Sequence, residues 1–518
     1  MKKYISLFLS VVLLLGCLAG CGSKASDDAS DGDKVMKVGI PALTNTFDYW
    51  QTASGYDLSV IANVYDTLLI LDENDQYAGS LAESWSVADD NMTYTFNLRH
   101  GVKFSDGSEF TSADVKFSLE GCIKCEGLSW LYQSLIESVE TPDDYTVVIK
   151  TPTVTNQLLV ILSNSGYNNI ISKAAYEKYG DNYGKSAEAV VGTGPYRVSE
   201  WAYGESLTLV ANEDYHLGAP DIKTITFEQI SDPNAALISL QTNEIDLYFD
   251  DVPGVSISDV ENNADLSIAE FTSFASYNIY MNCEEGMFAD KRMRQAVAYA
   301  IDKQGYCDVG NEGHGILADY PGDIGPVLQG NPEIDKTWYE QNMEKARALV
   351  KESGNEGKSV TIYCISTGAL PAIATMLQST LTELGLNATV QQMERTSFNE
   401  SVISSADYEI MVSRFIGSLY DIDESLLALD SNNFGSGGNY GHYVNPEMDA
   451  LIAQSRQTLD ENERKDICAQ IMEIYNEDMP FTILFYSMGS RAYSNRITLT
   501  GDQALAQRDH LRYYSWAE

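Results

Sequence analysis

Val360-Thr361-Ile362-Tyr363-Cys364-Ile365 is followed by Pro371, by Ile373, Met376, Leu377, Leu381 and Leu384 on one helical stripe, by Gly385, and by the run Ala388 to Met393. The first and last runs have strand character, and the stripe between them repeats at helical spacing. Proline fits the first position of a helix and glycine the position past its end. The stretch is therefore a β-α-β unit and sets the class as α/β. Working outward, Tyr408 to Phe415 adds a further strand, Pro446 to Gln454 and Glu461 to Tyr475 are amphipathic helices, and Phe481 to Tyr486 is a closing strand.

Upstream, Met36 to Ile40 alternates into a strand, and Val60, Val64, Leu68 and Leu71 fall at helical spacing between Ser59 and Leu71. Thr93 to Leu98 is a strand with Tyr94, Phe96 and Leu98 on one face. Thr111 and Asp114 form a capping box that opens a helix through Val115, Phe117 and Leu119. Tyr145 to Ile149 and Ser206 to Val210 are strands, and Gly192-Thr193-Gly194 is a turn feeding the strand from Tyr196.

The chain has 518 residues, 44% hydrophobic and 10% aromatic. One core stops growing at about 250 to 300 residues, so two or three domains are required. With 75 acidic against 33 basic residues the formal charge is -42. Nucleic acid is disfavoured as a partner, because phosphate binding relies on clustered Lys and Arg. The acidity fits solubility of a surface protein, with steering of cationic ligands as the alternative.

At the N-terminus, Lys2 and Lys3 precede an apolar run from Ile5 to Leu15, too short to remain as a membrane span. Leu18-Ala19-Gly20-Cys21 then resembles the lipobox of bacterial lipoproteins. The resemblance implies a signal peptide over 1–20, lipidation of Cys21 and a tether to residue 35. Two acyl chains give the stable membrane hold that one does not.

Of eight cysteines, Cys17 and Cys21 lie in the leader, and Cys122-Ile123-Lys124-Cys125 is the one close pair in the body. It reads as two buried or half-buried helix residues, with a metal or redox pair as the alternative; the five histidines are isolated in sequence. Gly354 to Ser359 imitates a phosphate loop but has Glu352 where the motif needs glycine, and reads as a helix stop. No nucleophile elbow or zinc-protease motif is present. No enzyme, cofactor or metal is expected.

Leu81-Ala82-Glu83-Ser84-Trp85, Asp89, Thr93 to Phe96, Leu98-Arg99, Gly101 to Phe104, Asp106-Gly107 and Ala113 to Val115 together resemble the signature of bacterial extracellular solute-binding proteins of family 5. Further matches follow in family order: Gly192 to Tyr196, Ala235 to Asp246, Asn282, Arg294 to Asp302, Asn445-Pro446 with Asp449, and Met479-Pro480. The resemblance implies a two-lobed, periplasmic-binding-protein-like α/β fold of the Venus-flytrap type, with an extra domain inserted in lobe one. Lobe one would comprise 36–68, 186–270 and 488–518, the inserted domain 69–185, and lobe two 271–487.

The implied function is capture of a short peptide or peptide-like solute by hinge closure and delivery to the transmembrane subunits of an ABC permease. The receptor is expected to be a monomer. A nickel or metal-chelate receptor, to which His442 would contribute, and a peptide-signal sensor stand as alternatives. Family peptide receptors hold the ligand ammonium with an aspartate whose place here falls on Leu419, beside Tyr420, so Asp421 or Asp423 is the candidate substitute carboxylate, with a solvated loop carboxylate as the other role for each. Arg414 or Phe415 at the end of the preceding strand would face the ligand, Arg414 as a carboxylate clamp. Tyr49, Trp50, Tyr277 and Tyr280 are candidate cleft aromatics, with packing as the other role for each.

Overall fold

The computed structural model describes residues 34–500 and 509–518, apart from 53, 73–75, 324–327, 333, 335–338 and 418–420. The leader with Cys21 therefore lies outside the described residues, as does Tyr420.

The main sheet contains β1 (Val35–Ile40), β2 (Tyr196–Ala202), β3 (Ser206–Ala211), β4 (Thr224–Gln229), β5 (Leu247–Tyr248), β6 (Leu266–Met281), β7 (Gly315–Leu317), β8 (Ser359–Ile365), β9 (Asn387–Met393), β10 (Ile410–Ile416) and β11 (Phe481–Ser494). The order is β9-β8-β10-β6-β11-β5-β1-β4-β3-β2, with β7 on β11. β8 runs parallel to both β9 and β10, as the β-α-β reading requires. A separate four-stranded antiparallel sheet, carrying Thr93–Leu98 at its interior, packs against helix α1 (Ser112–Lys124). Helices α2 (Leu370–Glu383), α3 (Pro446–Gln457) and α4 (Glu461–Asp478) complete the frame used below.

The apolar side chains divide into separate cores. One contains only residues between Phe274 and Tyr486, including Ile362, Leu377, Ile410, Ile471 and Phe485. Another joins β1 and β2–β4 to the four-stranded sheet and α1, and a small third packs Ala236 to Leu266 with Ala492. The chain passes between the first core and the other two along β6 and β11. Their ladder loses register between Thr272 and Ser276, opposite Met488 and Tyr486. Phe271 covers Gly489, where a Cβ would lie 2.1 Å from the ring, so only glycine fits at that crossing.

Local signals held where chemistry and spacing agreed. Thr111 and Asp114 make the capping box of α1, and Gly354 ends a helix at φ 72°. Between Ser59 and Leu71 the structure differs from the expected helix. The helix is Gly55–Ile61, and Leu69–Leu71 is a strand paired with Tyr77–Gly79. Carbonyls beyond its end serve other partners: Gly194 N donates to Val64 O at 2.9 Å and Tyr196 N to Asn63 O at 3.0 Å. A Cβ at Gly194 would lie 2.5 Å from the Val64 carbonyl carbon, so the glycine turn and the interrupted helix require one another. The helical spacing reported burial alone, since Val64, Leu68 and Leu71 are all in the core.

The C-terminal residues close the base of this half, with Leu511 N donating to Asn63 Oδ1 at 2.7 Å. Burial holds the His510 imidazole below its ordinary value, at about 4, aided by Arg512, and burial also lowers His216, beside Asp66. Above the ordinary histidine range both rings are neutral folded or unfolded. As pH falls through it, the unfolded chain binds protons that the native state refuses, so stability drops until the native rings titrate. Moving from pH 7 to 4.5 should cost about 1 to 3 kcal/mol from His510. Thermal unfolding across that range should be flatter for His510→Gln, and an unchanged profile would refute the assignment.

Candidate functional site

β8, β9 and β10 point their carboxyl ends the same way, and open α/β sheets bind ligands in the crevice outside those ends. A cavity of about 850 Å³ lies there. Ile365 ends β8 at its wall, Arg395 and Phe398 follow β9, and Ser413, Arg414 and Phe415 come from β10. Leu370 contributes the start of α2, and Glu424 and Leu427 come from the turn after β10. Tyr440 closes one side, and Tyr167 reaches in from the half built on the four-stranded sheet.

Arg414 lies over Tyr277, its Cζ 5.1 Å from the ring centroid, and Tyr277 stacks on Phe485 at 4.7 Å. The guanidinium thus has a rigid aromatic floor. Among the described residues neither Arg395 nor Arg414 has an ion-pair partner, while both border the cavity. Glu424 supplies the carboxylate on the wall. A Cβ at Gly417 would lie 2.9 Å from its Oε2, so glycine at the strand end gives that carboxylate its room.

The other expected residues are distributed differently. Asp421 is 2% exposed and takes a bidentate grip from Arg464, Nη1 donating at 2.6 Å and Nη2 to the second oxygen. It also caps the five-residue helix Ile422–Leu426 by accepting from Asp423 N. Asp423 is 4% exposed, with Arg456 Nε donating to Oδ1 at 2.6 Å and Gln157 Nε2 to Oδ2. Burial pushes the Asp423 carboxyl up, and Arg456 offsets part of it; burial opposes the Arg464 charge, but Asp421 outweighs it and raises that pKa. These two carboxylates are committed to protein cations, and neither borders the cavity.

Tyr280 is 1% exposed and packs against Tyr440 at 5.0 Å, so it stands behind the wall rather than in it. Tyr49 is buried with its hydroxyl 2.9 Å from Cys122 Sγ. Trp50 lies on α1, where a Cβ at Gly121 would fall 1.9 Å from the ring, and borders a different hollow with Phe117 and Tyr176. Cys122 is buried and Cys125 half-buried, both as free thiols. His442 stacks on Phe434 and lies 3.3 Å from Glu284. Among the described residues no cluster of His, Cys, Asp or Glu is placed to hold a metal.

The family model for bacterial extracellular solute-binding proteins, family 5 Middle, matches residues 76–437. The chain belongs to this family. It is a solute-binding protein of ABC importers, not an enzyme. The oligopeptide-binding protein AppA of Bacillus subtilis (strain 168) is 27% identical over 99% of both chains. HbpA2 from Haemophilus parasuis superposes with a TM-score of 0.84 at 22% identity, over 94% of this chain and 100% of that one. The structure of Bacillus subtilis AppA in complex with a nonapeptide gives a TM-score of 0.72 at 25% identity, over 94% and 99%. The fold is that of the two-lobed periplasmic binding proteins.

Within this family 5 chain, sequence reasoning missed Tyr167, Arg395, Glu424 and Tyr440 as cavity residues. Arg395 was within reach, since it stands just past a recognisable strand whose carboxyl end points to the crevice. Glu424 lies one residue from Asp423, and only the direction each faces from a short helix separates a cavity carboxylate from a buried one.

Proposed function

We propose that this chain is a lipid-anchored receptor that captures a short peptide or peptide-like solute and hands it to an ABC permease. The observation that carries the reading is the cavity at the carboxyl ends of β8–β10, with two arginines and one glutamate on its wall. Its volume of about 850 Å³ lies in the range of pockets that enclose a small ligand. Arg414 or Arg395 supplies bidentate donors for a ligand carboxylate, and Glu424 accepts from a ligand ammonium. Aromatic and aliphatic wall residues take the remaining surface without demanding one side chain. The peptide-binding names of the relatives agree with this class of ligand.

β6 and β11 are the pair of strands joining the halves, and the break in their ladder gives a bend point for closure. Residues 36–68, 186–270 and 488–518 then act as lobe one, 69–185 as its inserted domain and 271–487 as lobe two. The sequence Leu18 to Cys21 supports acylation at Cys21, and among the described residues no helix is long and apolar enough to cross a membrane.

One experiment reads anchor and cargo together: native mass spectrometry of the full chain extracted from membranes. The polypeptide mass should begin at Cys21 and carry acyl chains, with bound masses forming a series of short peptides. An unacylated chain refutes the anchor, and a single non-peptidic or metal-containing adduct refutes the peptide reading.

A further inference from the structure

The half that contributes Tyr167 also touches lobe two outside the cavity. Asn156 N donates to the Arg456 carbonyl at 3.1 Å, and Asn156 Nδ2 donates to the Ser455 carbonyl at 3.0 Å. Gln157 Nε2 donates to Asp423 Oδ2, and Tyr77 OH donates to Gln329 Oε1 at 2.7 Å. Asn156 precedes the helix Gln157–Leu162, while Ser455 and Arg456 are in the last turn of α3. The backbone N–H and side chain of Asn156 at one helix start thus meet carbonyls at another helix end, where the Ser455 carbonyl also accepts from Thr458 N.

The receiving surface is rigid. Arg464 fixes Asp421, and Arg456 orients Asp423 so that its second oxygen is presented to Gln157. Gln329 belongs to the same structure, since Ile422 N donates to its carbonyl at 3.0 Å. The helix Ile422–Leu426 therefore carries two adjacent carboxylates with different addressees. Asp423 faces the opposite half, and Glu424 faces the cavity.

We infer that Asn156 and Gln157 form a clasp that closes on α3 and on the Asp421–Leu426 turn, and that this turn couples cavity occupancy to lobe closure. The inference rests on the reading of the cavity as the solute site. A ligand held by Glu424 steadies the turn that offers Asp423 to Gln157, and the closed clasp in turn slows ligand release, because coupling between two sites is reciprocal. Each clasp bond replaces bonds to water in the open form, so the contact is reversible.

Gln157→Glu sets a carboxylate against Asp423 and should open the clasp, whereas Gln157→Glu with Asp423→Asn exchanges acceptor and donor and should restore part of it. Asp423→Asn alone is measured as the control for the lost Arg456 pair. Single-molecule fluorescence between dyes on engineered surface cysteines, one in each lobe of the full mature chain, reads the lobe separation. Gln157→Glu should lower the closed fraction by about tenfold and speed release of a trialanine probe similarly. Gln157→Ala should act in the same direction with less effect, and it serves if the glutamate variant folds poorly. A lobe-separation distribution identical to the unsubstituted protein, without ligand and with it, overturns the clasp. If trialanine binds none of the proteins, the peptide reading is in trouble while the ligand-free comparison still decides the clasp.

Discussion

Asp421→Ala should lower the unfolding temperature of the half built on the Phe274–Tyr486 core by about 10 °C or more, corresponding to a loss of about 3 to 5 kcal/mol. Removing one partner of a buried ion pair is costly because the other is left charged and dry. Arg464 is 2% exposed by side chain and its two terminal nitrogens both serve Asp421. The pair itself is not a large net gain, since desolvating both ions consumes much of their attraction. Asp421→Leu with Arg464→Met should therefore be less harmful than Asp421→Ala alone. Scanning calorimetry of the mature chain checks both statements. A single substitution no more damaging than the double one would show that Arg464 finds water or another partner. Ligand affinity of the folded fraction should fall by less in Asp421→Ala than in the Glu424 variant below, because Asp421 does not border the cavity and acts only through the turn it caps.

Much of the α/β frame was legible because its signals are local. The stripe of α2 and the runs of β8 and β9 each state their own conformation, and Pro371 and Gly385 mark the ends. β11 was legible only to Tyr486, although the strand continues to Ser494. Its second half, with Gly489, Ser490 and Arg491, has no alternation to read. It is held by β6 along its length, by Phe271 over Gly489, and by Asp251 and Asp509 on Arg491. The cavity was half legible. Arg414 and Phe415 were reached through the strand that ends beside them, and both line the wall because the cavity wraps around the end of β10. Asp421 and Asp423 were not separable from Glu424, because the cations that claim them sit on α3 and α4, more than thirty residues along the chain. Trp50 and Tyr49 pack on α1 for similarly distant reasons, the gap left by Gly121 for Trp50 and the Cys122 thiol for the Tyr49 hydroxyl.

Glu424→Gln and Arg414→Ala should each weaken ligand binding by about 2 to 5 kcal/mol, the range for truncating one partner of a desolvated charge pair. Glutamine keeps the size and the hydrogen-bonding shape of Glu424, so the loss reports charge rather than packing. Arg414 has its aromatic floor in Tyr277 and no ion pair among the described residues, so alanine there removes the proposed ligand contact without stranding a protein carboxylate. Titration calorimetry with trialanine, followed by the cargo recovered from the native protein, measures both. A zwitterionic peptide predicts large losses in both variants and a smaller one in Arg395→Ala if Arg414 is the main clamp. Loss in the arginine variants alone would point to an anionic ligand with no ammonium to hold. Unchanged affinity in Glu424→Gln and Arg414→Ala together would remove the cavity at the ends of β8–β10 as the solute site, because no charge on its wall would then be felt by the solute.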